Sequence, residues 1–307
     1  MEKYNNDNIL MKVIKYNTAH DIDVQFENGE IIHNTQWQLF ERGSIRQPEN
    51  RVGIYKNNSE GDLMKVIEYN SSSDVVIEFQ DKYKYTCKTY WKHFKNGYVK
   101  NPYHPNKYGG IVGTNKDINE TDNFCISTSK EYNAWFNILT RCFNKNVHAK
   151  ENTYKKCTIC KEWMCFWNFY KWIINQENYV QWRDNDDYAI DKDILIKGNK
   201  FYSPKTCVLV PKSINNLLVK HDKRRGKYPI GVTKRKADGM FEAQCRNPID
   251  DKYYTLGLYN SPYDAFISYK QYKEKIIKKV AKEEFENNKI TLVCYNALIN
   301  YNVEITD

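Results

Sequence analysis

The chain is expected to fold as α+β, in several small modules rather than around one large sheet. Three observations predict this: a strand-rich segment that occurs twice in the N-terminal third, a strand–turn–strand–helix pattern over 188–218, and three short strands followed by a helical stretch over 228–275. With 307 residues, 41% of them hydrophobic, there is room for two ordinary domains or several smaller ones, each with its own core.

The repeat comes first. Met11-Lys12-Val13-Ile14-Lys15-Tyr16-Asn17 recurs as Met64-Lys65-Val66-Ile67-Glu68-Tyr69-Asn70, and Asp21, Val24 and Phe26 recur as Asp74, Ile77 and Phe79. With one inserted residue, Phe40, Gly43, Ile45 and Pro48 correspond to Phe94, Gly97, Val99 and Pro102. Each copy reads as two strands and a short aromatic turn or helix, and Asn28-Gly29 is a hairpin signal in the first. The modules are expected over 1–55 and 56–108. Their basic ends, Arg42, Arg46 and Arg51 in one and Lys95 and Lys100 in the other, suit a phosphate backbone or are scattered surface charge. Trp37 and Trp91 either fill small cores or stack on bases.

Prolines with Gly109-Gly110 and Gly113 mark a connector, and the linker is expected over 109–122. Next, Tyr132, Trp135, Phe136, Leu139 and Cys142 recur at helical spacing behind Thr128 and Glu131, which have the spacing of a capping box. Trp163 to Ile174 is apolar almost all round, so a helix there is expected to be buried against the following hairpin. Between the two helices stands Cys157-Thr158-Ile159-Cys160. Two thiolates at that spacing can grip one zinc ion, with Cys142, Cys165, Cys207 or His148 completing the shell; otherwise they are buried thiols. Nine cysteines in a chain of this length suit reduced thiols or a metal site better than a disulfide framework.

In the centre, Ile190, Ile194 and Leu195 supply strand character, Gly198-Asn199 marks a turn, Thr206 to Val210 is a second strand, and Pro211 suits the first position of a helix. The ordered residues Asp191 to Leu195, Gly198 to Lys200, Tyr202 to Pro204, Cys207, Val210-Pro211 and Ile214-Asn215 resemble the HNH, or ββα-metal, endonucleases, especially phage-encoded forms. The resemblance implies a ββα-metal-like domain over 123–222 that holds one divalent cation, Mg or Mn, through Asp191 and Asn215. It places Lys192 or Asp193 where the general-base histidine of the family belongs, and Lys200 near the phosphate. That histidine is missing. Unperturbed Asp and Lys titrate about three units on either side of neutrality, so a base role requires a shifted pKa. On residue chemistry alone, the same positions read as an exposed charge cluster on a hairpin.

The last third begins with a basic connector, Lys220 to Lys227, that contains Arg224 and Arg225. From Lys220 to Tyr259 ten Lys and Arg stand against five Asp and Glu. Strands are expected over 232–236, 241–246 and 253–258, with a turn at Asp238-Gly239, followed by a helix capped by Ser261 with Pro262 in its first turn. Gly231-Val232, Phe241 to Ala243, Leu256 to Tyr259 and Ala265 to Tyr269 resemble the Apetala-type DNA-binding domain. That resemblance implies a domain over 223–307 whose sheet enters the major groove of double-stranded DNA, with Lys234, Arg235, Lys236, Gln244 and Arg246 as contacts. Arg and Gln can read guanine and adenine edges, while lysines attract phosphate. A solvated basic face is the plainer alternative. Ile276 to Val303 reads as helical, either docking on this module or mediating self-association.

A formal net charge of +9 with 15% aromatic residues favours a polyanionic partner, DNA first and RNA second. No apolar run is long enough for a bilayer, and MEKYNNDNILMK lacks a signal-peptide core, so the expected location is the cytoplasm of a host cell, away from membranes. The combined expectation is a free-standing phage endonuclease, of homing or related mobile type, that hydrolyses phosphodiesters. The rival is an inactive DNA-binding, regulatory or anti-defence protein on the same core. Either is compatible with a homo-oligomer or a host protein partner.

Overall fold

Alternating apolar residues fold each copy of the repeat into a four-stranded antiparallel meander closed by a short helix. In the computed structural model, which describes residues 1–48, 51–115, 126–218 and 227–307, the chain forms two units, Met1–Asn101 and Pro102–Asp307. The first copy comprises β1 (Glu2–Tyr4), β2 (Leu10–Thr18), β3 (Asp21–Phe26), β4 (Ile31–Thr35) and α1 (Trp37–Glu41). The second repeats it as β5 (Tyr55–Asn57), β6 (Leu63–Ser71), β7 (Asp74–Phe79), β8 (Thr86–Thr89) and α2 (Trp91–Asn96). Equivalent residues fill the two cores: Met11, Val24, Phe26 and Phe40 in one, Met64, Ile77, Phe79 and Phe94 in the other. The Asn28-Gly29 turn forms, with Gly29 at φ 90° and its N–H donating to Phe26 O at 2.9 Å. The unit closes at Asn101, so residues 102–108, assigned to the repeat on sequence, belong to the second unit.

The second unit runs α3 (Lys130–Phe143), α4 (Lys145–Lys150), β9 (Thr158–Ile159), α5 (Phe166–Ile174), α6 (Tyr179–Asp184), β10 (Tyr188–Asp191), β11 (Phe201–Tyr202), β12 (Val208–Pro211) and α7 (Lys212–Leu217). It continues with β13 (Val232–Lys234), β14 (Phe241–Asn247), β15 (Lys252–Tyr259), α8 (Pro262–Glu286) and α9 (Leu292–Ile299). The fold is thus mixed α+β, with small sheets and a C-terminal three-stranded sheet backed by a helix.

Several sequence expectations change in detail. Ser129, not Thr128, caps α3 by accepting from Tyr132 N, and Glu131 is buried, accepting from the Tyr179 hydroxyl at 2.7 Å. The described part of the expected linker, 109–115, is packed. Ile111 N donates to Met164 O at 2.8 Å, and a Cβ on Gly110 would lie 2.6 Å from Leu139 Cδ1. Residues 116–122 lie outside the described residues. The first central strand ends at Asp191, leaving Ile194 to fill a core from a loop, and Pro211 closes β12 as the N-cap of α7.

β10 and β12 pair antiparallel, with Ile190 opposite Leu209 and Asp191 opposite Val208. Every residue of β12 is buried, as a strand covered on both faces requires. Leu209 joins an aromatic cluster built from α3, α5, α6 and the turn before α5, which includes Trp135, Trp163, Phe166 and Trp182. Trp135 Nε1 donates to Trp163 O at 2.7 Å within that cluster. Val208 and Val210 join the opposite cluster with Ile214, Leu217, Ala243, Phe266, Ile277 and Leu298. No packing break therefore divides 123–222 from 223–307 among the described residues.

β13, β14 and β15 form an antiparallel sheet with a bulge between Ala243 and Gln244, and α8 covers its inner face. Gly231 sits at φ 75°, and a Cβ there would lie 2.0 Å from Tyr269 Cδ2, so only glycine allows the strand to approach α8 this closely. Ser261 caps α8, its hydroxyl accepting from Tyr263 N at 3.1 Å, and α9 folds back onto α8. Among the described residues no helix is long and apolar enough to cross a membrane.

Candidate functional site

Where β10 ends, Asp191 turns the chain out of the sheet. Its Oδ1 accepts the backbone N–H groups of Asp193 and Ile194, each at 2.8 Å. Only 9% of Asp191 is exposed, and its carboxyl also hydrogen-bonds the Asp193 side chain. Burial foremost, and then the charge of Asp193, push Asp191 up to about 6, while the two amides pull in the opposite direction. Asp191 therefore retains its proton into the near-neutral range.

Lys192 lies between them in sequence and is buried as well. Its ammonium is 3.2 Å from the Asp193 carboxylate and 5.9 Å from the Tyr202 ring centre, while its carbonyl accepts from Asn199 Nδ2 at 2.7 Å. The two residues expected at the base position, Lys192 and Asp193, are therefore ion-paired with each other, and Asp191 and Lys192 are not part of an exposed hairpin charge cluster.

The other expected members of the site are placed elsewhere. Asn215 on α7 is half-buried, and among the described residues its side chain hydrogen-bonds neither Asp191 nor any other group. Lys200 donates to Thr153 O at 3.1 Å. Sequence reasoning missed Tyr301, whose hydroxyl is pushed up by burial first and also by the charges of Asp307, Asp193 and Asp191. The segment bearing it is tied to the 192–200 loop through Lys197, which donates to Asn302 O at 2.7 Å and to Asp307 Oδ2 at 2.6 Å. Only proximity in the folded chain reveals this neighbour.

Cys157 and Cys160 flank β9. Cys157 Sγ donates to Thr153 O at 3.7 Å, and among the described residues no third Cys, His, Asp or Glu comes close enough to complete a ligand group with the pair. Burial raises both thiols, and raises Cys142 and Cys207 to about 12. Neutral thiols in an apolar cluster pack as small hydrophobes, so the expected zinc site is not assembled here.

The outer face of the C-terminal sheet follows from strand alternation. Ala243 and Cys245 point into the core, which turns Glu242, Gln244 and Arg246 outward. Gln244 stands opposite Thr255, and Arg246 stands opposite Tyr253, which is 75% exposed. Tyr253 was missed as a candidate, although the alternation of 253–258 carries that signal. Arg246 is held by Asp251, with Nε 2.7 Å from Oδ1, and Glu242 accepts from the Thr255 hydroxyl at 3.1 Å. Lys234 and Arg235 lie at the strand end: the Lys234 ammonium is 5.5 Å from the Phe241 ring centre, and Arg235 is 3.7 Å from Asp238. Lys236 is exposed in the turn. Arg224 and Arg225 lie outside the described residues.

Comparison with protein-family models, with curated proteins and with solved structures found no match to this chain.

Proposed function

We propose that the protein binds double-stranded DNA through the outer face of β13–β15 and hydrolyses its phosphodiester backbone with one divalent cation at Asp191 and Asp193. The observation that carries this reading is the buried Asp191 carboxyl, beside the half-exposed Asp193, at the end of the first strand of a β–β–α unit whose hairpin shares a core with the C-terminal sheet. Hard cations such as Mg and Mn accept carboxylate oxygens and keep several waters, so a two-carboxylate donor set fits them. Asp191 and Asp193 would hold the ion, and Asn215 is left out of the set. A bound cation supplies charge stabilisation to the phosphate as it is attacked.

The rest falls to the chain itself. The backbone amides of Asp193 and Ile194 both bind Oδ1 and fix the Asp191 carboxyl beside Asp193. Asp193, with 39% of its side chain exposed, is the member of the pair that faces water. Gln244, Arg246 and Tyr253 offer base-edge and stacking contacts, and Lys236 offers phosphate attraction.

A second reading has its own observation. The Lys192–Asp193 ion pair stands where a free base is needed, which favours a protein that binds DNA without cutting it, as a regulatory or anti-defence factor would. Supercoiled plasmid incubated with purified protein, with manganese or with chelator, decides between them. Metal-dependent nicking that disappears in Asp191→Ala supports the nuclease. Retarded DNA that remains supercoiled under every metal condition supports the binder.

A further inference from the structure

The two N-terminal modules carry the same aromatic pair at the same place, and the pair is treated differently in each. In the second module, Tyr69 and Trp91 meet edge-to-face with ring centres 5.9 Å apart. The guanidinium of Arg51 lies over both, 4.1 Å from the Trp91 ring centre and 5.1 Å from that of Tyr69. In the first module, Tyr16 and Trp37 meet edge-to-face at 5.5 Å. No cation lies over either ring among the described residues, and Tyr16 is 56% exposed where Tyr69 is half-buried.

An aromatic face attracts a cation through its quadrupole, and a planar guanidinium both stacks and keeps its charge on that face. The second module therefore displays, within this chain, the ligand chemistry that the shared geometry accepts. We propose that Tyr16 and Trp37 form a recognition site for an arginine side chain presented by a partner polypeptide. Charge points the same way. Residues 1–48 carry five Lys and Arg against seven Asp and Glu, whereas 56–101 carry eight Lys against six Asp and Glu. The open pair thus sits on an acidic module within a chain of net charge +9, a setting that draws a cationic side chain and repels a nucleic-acid backbone. The site is independent of the carboxyl pair and of the C-terminal sheet.

The test uses the full chain labelled with 5-fluorotryptophan, whose seven tryptophans give separate fluorine resonances, assigned with Trp37→Phe and Trp91→Phe. The probes are N-acetyl-arginine methylamide, its neutral citrulline counterpart and a short thymidine oligonucleotide. A saturable shift of the Trp37 resonance with the arginine probe, several-fold smaller with citrulline and reduced in Tyr16→Leu, supports the proposal. So does a Trp91 resonance that is silent in the parent protein and responds once Arg51→Ala uncovers its ring. A Trp37 resonance that ignores the arginine probe, moves equally with citrulline, or responds only to the oligonucleotide overturns it.

Discussion

Replacing Asp191 by Asn should make the second unit more stable, in a manner that depends on pH. The carboxyl is raised from 3.8 to about 6 by burial and by Asp193. The folded chain therefore binds a proton more readily than the unfolded chain, and stability falls as pH rises through that window. Above about 6 the penalty is complete; below about 4 both states are protonated and it vanishes. A shift of about two units corresponds to roughly 3 kcal/mol. Asn keeps an oxygen for the amides of Asp193 and Ile194 but carries no charge, so Asp191→Asn should gain up to that amount at about pH 8 and nothing at about pH 4. Urea unfolding followed by tryptophan fluorescence reads the second unit well, since five of the seven tryptophans lie in it. Added manganese should raise the midpoint of the parent protein but not that of the variant. A variant less stable than the parent at about pH 8, or a difference that does not change with pH, would refute the account of this site.

Leu209→Ala empties a position 3% exposed inside the aromatic cluster and should lower stability by about 2–5 kcal/mol by urea unfolding. Gly231→Ala should lower the melting temperature because its methyl would collide with the Tyr269 ring and φ 75° disfavours any side chain, and combining it with Tyr269→Ala should remove only the collision part of the loss. In electrophoretic mobility shifts, Gln244→Ala should weaken specific DNA binding by about 1–3 kcal/mol, while Lys236→Ala should weaken all sequences alike and reduce the salt slope by about one. Thiol titration of the native protein at about pH 8 should leave Cys142, Cys207 and Cys294 unmodified, because burial pushes each up to about 12.

The duplication was legible because the residues that repeat, Met11 with Met64 and Phe26 with Phe79, are the ones that fill the cores. The short outer strands β1 and β5 were not, since three residues held by pairing leave too little alternation to read. The sheet and α8 were legible through alternation and the Ser261 cap. The candidate site was legible as to residue identity but not placement. Buried Asp191 lies near Cys294 and Tyr301, far downstream in the chain, and nothing local to an Asp-Lys-Asp run announces those neighbours. Asn215 failed to join because a six-residue helix directs its faces according to core packing, and Ile214 and Leu217 take the inward positions. The Cys157–Cys160 spacing fixes distance along the chain, whereas the β9 backbone decides where the sulfurs point.

The β12 strand gives its even-numbered side chains to one cluster and Leu209 to the other, so the C-terminal sheet is no interchangeable cartridge. Trimming the chain at residue 222 would strip the wall from Val208 and Val210 and leave a greasy, adhesive flank in water. In the intact chain the β10–β12 hairpin and the sheet share that wall and should melt in a single step, and any attempt to graft this sheet elsewhere must carry β10, β12 and α7 along with it.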